Sequence, residues 1–478
     1  MKSILVIDCG SSSMRGILFD ANGEILHVEQ RKYFMDIDKD AATQAPDVYS
    51  ESLYDICTVC ATVLKKAGLT LSALSFTSQR SSVLPVDKKG QPVGKIITWY
   101  DKRSAGICEE KTAAFGEEIL SITGTRTSPV LSAPKMLWIK LNEPERYAQA
   151  HKLIGIHDYL LFLCTGEFVT DATLASRSSL MDIRRFAWSR RLLEIFEVDR
   201  EKLCRLLPPC SIAGHITTAF AKRTGLPEHT PVVSGGGDQQ CSVLGQGLFE
   251  AGQLGITCGT GAYIAAVCGS PLIDKNQKIN LNAAVCPGLW VAESSIPAAG
   301  SVFDWFNRNF YDPAGQRYPQ ERINADILLS PPGARGLVMN PNLNDSGCFA
   351  GIDLSHSRAD FARALLEGIA AQIASCYDTI RAHIGPISTV KTTGGLTKFS
   401  EFNQIISDII DFSVKNCIIK ETTAIGAFLA GTVAAGWYSS LPEAHQLLFG
   451  TSEDFRYNPI PERVTIYQQV KQRVNKLT

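Results

Sequence analysis

The chain opens with two short apolar runs, Ile4–Ile7 and Ile17–Phe19, separated by the polar stretch DCGSSSMRG at residues 8–16. Short apolar runs bounded by turn residues predict strands buried on both faces. Asn22-Gly23 follows, a strong hairpin signal that turns the second strand into a third. Residues 48–69, VYSESLYDICTVCATVLKKAGL, switch to helical spacing and end in lysines and Gly68, a helix stop. The strand–turn–strand pattern returns half a chain later as LGITCGTGAYIAAV, residues 254–267. Two more strand patterns run into glycines. PVV enters Gly235-Gly236-Gly237, and Ile387–Val390 leads to Gly394-Gly395 and a helix with apolar positions at Phe402, Ile405, Ile406 and Ile409. AIGAFLAGTVAAGWY, residues 424–438, is too short to span a bilayer and reads as a buried helix of small residues.

A length of 478 residues predicts more than one core, with two domains the natural expectation. A 45% hydrophobic and 20% charged composition is that of an ordinary globular protein. The net charge of −1 gives no electrostatic footprint for nucleic acid or anionic lipid. No uncharged apolar run reaches membrane-spanning length, and MKSILVID carries no cleavage pattern, so a cytoplasmic protein with reduced thiols is expected. Fourteen cysteines are too few for a disulfide scaffold in a chain this long. Cys57 and Cys60 have CxxC spacing but lie in the helical stretch with no second pair or nearby histidine, and read as core.

The two hydroxyl- and glycine-rich turns suit anions. Glycine lets backbone N–H groups approach closely, and successive N–H groups form an anion nest. Gly10, Ser11, Ser12, Gly259 and Thr260 would supply such donors. Asp8 would serve Mg²⁺ held largely through water, and Arg15 would pair with a phosphate oxygen. Neither GxxxxGK[ST] nor a strand-to-helix GxGxxG is present, so the P-loop and Rossmann readings lose support. Asp238, at the end of a strand and followed by Gln239 and Gln240, suits a general base beside a substrate hydroxyl. The alternative reading of the same aspartate is a helix N-cap, and the two roles are not exclusive. Gly394-Gly395 would let a flat base or ribose lie against the backbone.

These blocks, together with SQRSSVLPVD (78–87), ITWYDKRS (97–104), APKMLWIK (133–140), HDYLLFLCTGEFVTDATLASRSSLMDI (157–183) and GCFAGIDLSHSRADFARALLEGIA (347–370), resemble the FGGY family of carbohydrate kinases, the group containing glycerol kinase and xylulokinase. The resemblance covers nearly the whole chain. It implies an α/β, two-domain actin-like ATPase (ribonuclease H-like) fold, each domain on a mixed five-stranded sheet, with the active site in the interdomain cleft. Residues 1–245 would form the N-terminal domain, with the sugar, the first phosphate turn and the catalytic aspartate. Residues 246–478 would form the C-terminal domain, with the second phosphate turn and adenosine. ATP and Mg²⁺ would phosphorylate a small sugar or polyol, with Asp238 as base and Asp8 and Asp238 on the metal side. Ser12, Arg15 and Thr260 would contact phosphates, and Gly300, Gly394 and Gly395 would approach the nucleotide. Dimerisation is common in the family.

The acceptor is the open point. Arg80 and Trp99 match positions that hold and cover glycerol in glycerol kinases, but Ser81 stands where those carry glutamate and Val130 where they carry tyrosine. Gln79-Arg80 and Gln239-Gln240 likewise depart from the xylulokinase pattern, so a ketose such as xylulose and a polyol both stand. Asp101 reads equally as a sugar contact or as a structural salt bridge with Arg103 or Lys102. A switch-type ATPase acting through a protein partner shares the fold and is the competing reading. A sugar-binding regulator without catalysis is disfavoured by the intact Asp8 and Asp238.

Overall fold

The computed structural model describes residues 2–311, 320–343, 345–417, 419–450 and 454–477. The chain divides into two compact units. One comprises Met1–Phe249, Gly269–Val291 and Glu421–Thr451; the other comprises Glu250–Cys268, Ala292–Lys420 and Ser452–Thr478.

The first unit is built on β1 (Lys2–Cys9), β2 (Ser13–Asp20), β3 (Ile25–Lys32), β4 (Thr70–Ser78), β5 (Ser211–His215) and β6 (Pro231–Gly237), in the order β5-β6-β4-β1-β2-β3. β1, β4 and β6 are parallel neighbours, while β2, β3 and β5 pair antiparallel. Ile4, Leu5, Val6 and Ile7 are all fully buried, as a central parallel strand requires. Gly23 takes a φ of 82° in the β2–β3 turn, the left-handed geometry for which Asn-Gly is suited.

The helix Asp47–Ala67 packs on β2 and β3 and buries Leu53, Ile56, Cys57, Cys60 and Leu64. Cys57 and Cys60 are therefore core residues, and burial pushes both thiols up. The helix Thr422–Ala434, buried along most of its length, packs on β1, β4 and β6. Ser75 Oγ in β4 donates to the carbonyl of Ala427 in that helix at 2.7 Å. Small residues bring its backbone down to the sheet and to the helix Asp238–Gly245.

The second unit repeats the plan with β7 (Gln253–Cys258), β8 (Ala262–Cys268), β9 (Trp290–Ile296), β10 (Thr389–Gly394), β11 (Val414–Asn416) and β12 (Phe455–Tyr457), in the order β9-β8-β7-β10-β11-β12. β7, β10 and β11 run parallel. The first sheet thus carries six strands and the second seven, against the expected five. Among the additions are the edge strands β5 and β12, each paired antiparallel to the last parallel strand. The helices Arg358–Ile384 and Ser400–Ile410 complete this core, the second burying Phe402, Ile405, Ile406 and Ile409 as its spacing predicts. Among the described residues no helix is long and apolar enough to cross a membrane.

Candidate active site

In the first unit, three adjacent parallel strands end side by side. Asp8 of β1 lies in register with Thr77 of β4, and Thr77 with Gly236 of β6. Asp8 near the end of β1, Gln79 and Arg80 after β4, and Asp238 after β6 therefore gather at one edge of the sheet. Ligands of open α/β sheets bind at this carboxyl edge.

The first turn is closed by Gly10 N donating to Ser13 O at 2.9 Å. Asp8 and Arg15 are cross-strand partners, so their side chains share a face. Arg15 Nη2 lies 2.6 Å from Asp8 Oδ2, and its Nη1 lies 2.7 Å from Glu421 Oε2. Burial raises the Asp8 carboxyl above its ordinary range, with Arg15 pulling the other way. Gln79 ties the turn down, its Nε2 donating to Gly10 O at 3.2 Å and to the Tyr49 hydroxyl at 2.9 Å. Trp99 Nε1 donates to Ser11 Oγ at 2.9 Å, which joins the aromatic candidate of the sugar side to the phosphate turn. Ser12 is exposed at the tip.

Arg80 Nε lies 3.3 Å from Asp238 Oδ1. Its aliphatic stem lies over Gly237, where an added Cβ would fall 2.8 Å from Arg80 Cδ. Gly237, not Asp238, occupies the N-cap of the helix Asp238–Gly245. Asp238 sits in the first turn, and its Oδ1 accepts from the neighbouring Gln239 N at 2.7 Å. A buried polar chain fixes the glycine turn from below. Gly237 N donates to Thr173 Oγ1 at 2.9 Å, Thr173 and Ser234 both donate to Asp171, and His157 Nε2 meets Ser234 Oγ at 2.9 Å. Gln240 is buried with neither end of its amide hydrogen-bonded.

Asp101 is buried. Its Oδ2 accepts from Ala42 N at 2.9 Å and lies 2.8 Å from Arg103 Nη2. Ser81 has a φ of 72° and donates to the Arg177 carbonyl at 3.2 Å. The Val130 segment is held by the buried Lys135, whose Nζ donates to the carbonyls of Pro129, Val130 and Leu131 at 2.6, 2.6 and 3.1 Å. A small cavity of about 40 Å³ lies among Gln79, Ser81, Ser132, His157, Asp158 and Thr170. Asp158 Oδ1 is buried there with no hydrogen-bond partner.

The second unit gathers its candidates at the equivalent edge. Gly259 and Thr260 form the exposed β7–β8 turn, with Gly259 N donating to Gly261 O at 2.9 Å. Thr260 O accepts from Ala299 N and Ser301 N at 2.9 and 3.0 Å, and Gly300 N donates to Gly259 O at 3.0 Å. The start of the helix Gly300–Phe310 is thereby fixed against the turn. A Cβ at Gly300 would lie 2.3 Å from Gly259 O. Gly394 ends β10 with a φ of 108°, and a Cβ there would lie 2.3 Å from Cys258 O. Gly395 beside it is exposed.

Among the described residues no three His, Cys, Asp or Glu side chains gather to hold a metal.

Glu421 did not emerge from the sequence. It is one carboxylate before a small-residue helix, and only the fold brings it to Arg15.

Residues 3–245 match the FGGY family of carbohydrate kinases, N-terminal domain, and residues 254–435 match the C-terminal domain of that family. Among curated proteins, the xylulose kinase of Lactococcus lactis subsp. lactis is 27% identical, over 99% of this chain and 95% of that one. The gluconokinase of Bacillus subtilis is 27% identical, over 97% and 93%. A solved structure of xylulose kinase from Lactobacillus acidophilus superposes with a TM-score of 0.92 at 23% identity, covering 100% of this chain and 98% of that one, and shares the fold.

Proposed function

This chain belongs to the FGGY family of carbohydrate kinases, on an actin-like ATPase fold, and is an enzyme that phosphorylates sugars with ATP; we propose that its acceptor is a small sugar, a ketose such as xylulose or a related polyol, with Asp238 as general base. The observation that carries the reading is the convergence of Asp8, Arg80 and Asp238 at the ends of three adjacent parallel strands. Asp238 takes the proton of the acceptor hydroxyl as its oxygen attacks the γ-phosphorus, and ADP leaves. Arg80 fixes the orientation of the carboxylate. Gln79, Arg80, Trp99, Asp101 and Gln239 form the sugar side, with Asp101 shaping the wall through Arg103 and Ala42.

Residues 1–245 carry the acceptor and the first phosphate turn, and residues 246–478 carry the adenosine end. Mg-ATP is the substrate form. Asp8 and Asp238 meet the ion on the phosphate side, while Gly10, Ser11, Ser12, Arg15, Gly259 and Thr260 take the phosphates. Gly300, Gly394 and Gly395 approach the nucleotide; an added Cβ would collide with backbone at the first two and meets nothing within 4 Å at Gly395. The proposed setting is cytoplasmic.

The test is ADP release from Mg-ATP with a panel of xylulose, ribulose, other ketoses, gluconate, glycerol and erythritol. One acceptor raising turnover far above the basal rate is expected. Turnover indifferent to every sugar and raised by a protein fraction would replace the kinase reading with the switch reading.

A further inference from the structure

We infer that Glu421 is a positioning residue for the phosphate end of the site, holding the Arg15 guanidinium in the orientation from which it meets the nucleotide. The inference rests on the reading of Arg15 as a phosphate contact.

The geometry is a clamp. Asp8 Oδ2 holds one terminal nitrogen of Arg15 at 2.6 Å, and Glu421 Oε2 holds the other at 2.7 Å. A guanidinium is planar and offers five N–H groups in a rigid fork. Anchoring both terminal nitrogens fixes the plane and leaves the remaining N–H groups aimed in set directions. Held by Asp8 alone, the group would be free to swing about that one contact. Arg15 and Glu421 are 27% and 36% exposed, so the pair stays within reach of a ligand. At that exposure its value lies in orientation rather than in stability.

The backbone at Glu421 gives an independent reason to look for a role. Its φ and ψ are 61° and 38°, the left-handed region that glycine enters freely and a residue with a Cβ enters at a cost. It directly precedes the helix Thr422–Ala434, yet its side chain makes no capping hydrogen bond. The carboxylate therefore does not serve as the hydrogen-bonding cap of this helix, and the left-handed backbone would be better served by glycine.

Its support is rigid. Thr422 Oγ1 meets Ser242 Oγ at 3.0 Å, and the Thr422 carbonyl lies against Gly245, where a Cβ would fall 1.9 Å from the oxygen. Ser242 and Gly245 belong to the helix that Asp238 opens. A continuous run of packed backbone thus links the proposed base to the clamp on Arg15.

The test is calorimetric titration of the full chain with the Mg²⁺ complex of a non-hydrolysable ATP analogue, with no sugar present. The variants are Glu421→Gln, Glu421→Gly, Arg15→Ala and the double Glu421→Gln/Arg15→Ala, with melting temperatures in parallel. Glu421→Gln is expected to weaken binding about fivefold, a fraction of one charge-assisted hydrogen bond. Arg15→Ala is expected to weaken it further, and the double variant to match Arg15→Ala. Glu421→Gly is expected to lose affinity like Glu421→Gln while melting no lower than the native chain. Unchanged affinity in Glu421→Gln beside a weakened Arg15→Ala overturns the inference and leaves the phosphate reading standing. So does a Glu421→Gln loss that persists undiminished in the Arg15→Ala background, or one that tracks a fall in melting temperature. An Arg15→Ala variant that binds normally overturns both.

Discussion

Alanine at Gly426 tests how the first unit carries its acids. A Cβ at this position would lie 2.0 Å from the Cys241 carbonyl oxygen, 2.6 Å from its carbon and 2.8 Å from its Cα. The contact is reciprocal, since a Cβ at Gly245 would meet the Thr422 oxygen at 1.9 Å. A relaxed carbon–oxygen approach is about 3.3 Å, so the helices Asp238–Gly245 and Thr422–Ala434 would have to part by roughly 1.3 Å. Both obstructing groups are helix backbone and have no rotamer to change. Overpacking of this kind costs about 1–3 kcal/mol. The upper end applies here because the helix Thr422–Ala434 also rests on β1, β4 and β6 and cannot retreat without lifting off them. Roughly 3 kcal/mol corresponds to a fall in melting temperature on the order of 5–10 °C for a unit of this size. A displacement of about 1 Å at the helix carrying Asp238 should also lower turnover on the order of 100-fold. Differential scanning calorimetry and steady-state kinetics read the two effects. Gly106→Ala is the control, because nothing lies within 4 Å of its added Cβ and its backbone is ordinary helix. Melting within a degree of the native chain with unchanged turnover would refute the backbone-to-backbone contact.

Gly394→Ala should weaken binding of Mg-ATP analogues at least tenfold while leaving sugar binding intact, because the new Cβ meets Cys258 O at 2.3 Å on a backbone with φ 108°. Equal affinities in the two proteins would refute a tight approach at that turn. Asp158 gives a pH prediction. Burial pushes its carboxyl up to about 6 from an ordinary 3.8, so the folded chain holds this proton more tightly than the unfolded chain does. Its effect is that stability falls as pH rises from about 4 to about 6, by roughly 3 kcal/mol for a difference near 2 pH units. Asp158→Asn should remove that slope and melt higher relative to the native chain at pH 7 than at pH 4.5. Parallel melting profiles in the two proteins would contradict the assignment.

What the sequence made legible was local. The apolar runs around DCGSSSMRG and TCGTGAY marked their strands because a buried parallel strand leaves an uninterrupted apolar signature, and Asn22-Gly23 marked its turn. Cys57 and Cys60 read correctly as core because the helical period around them was unbroken. Asp238 was visible as an acid at the end of a strand, although its alternative as the helix N-cap falls to Gly237 once the helix start is seen. Chain returns were not legible. Nothing in ETTAIGAFLAG signals that the helix after Glu421 lies against strands formed more than 340 residues earlier, since the Ser75–Ala427 contact spans 352 positions. The same holds for the chain from His157 through Ser234, Asp171 and Thr173 to Gly237, whose members look like unrelated polar residues until the strands bring them together. The edge strands β5 and β12 escaped because short antiparallel edges have weak apolar patterns.

The most direct test of the central claim compares the native chain with Asp238→Asn by phosphorus NMR, in Mg-ATP with the sugar that gives the highest ADP release. The native chain is predicted to yield ADP and one new phosphomonoester in equal amounts. Asp238→Asn is predicted to bind the nucleotide normally and form the ester on the order of 100-fold or more slowly. A variant that makes the ester at near-native rate, or a native chain that yields only inorganic phosphate, would contradict the account.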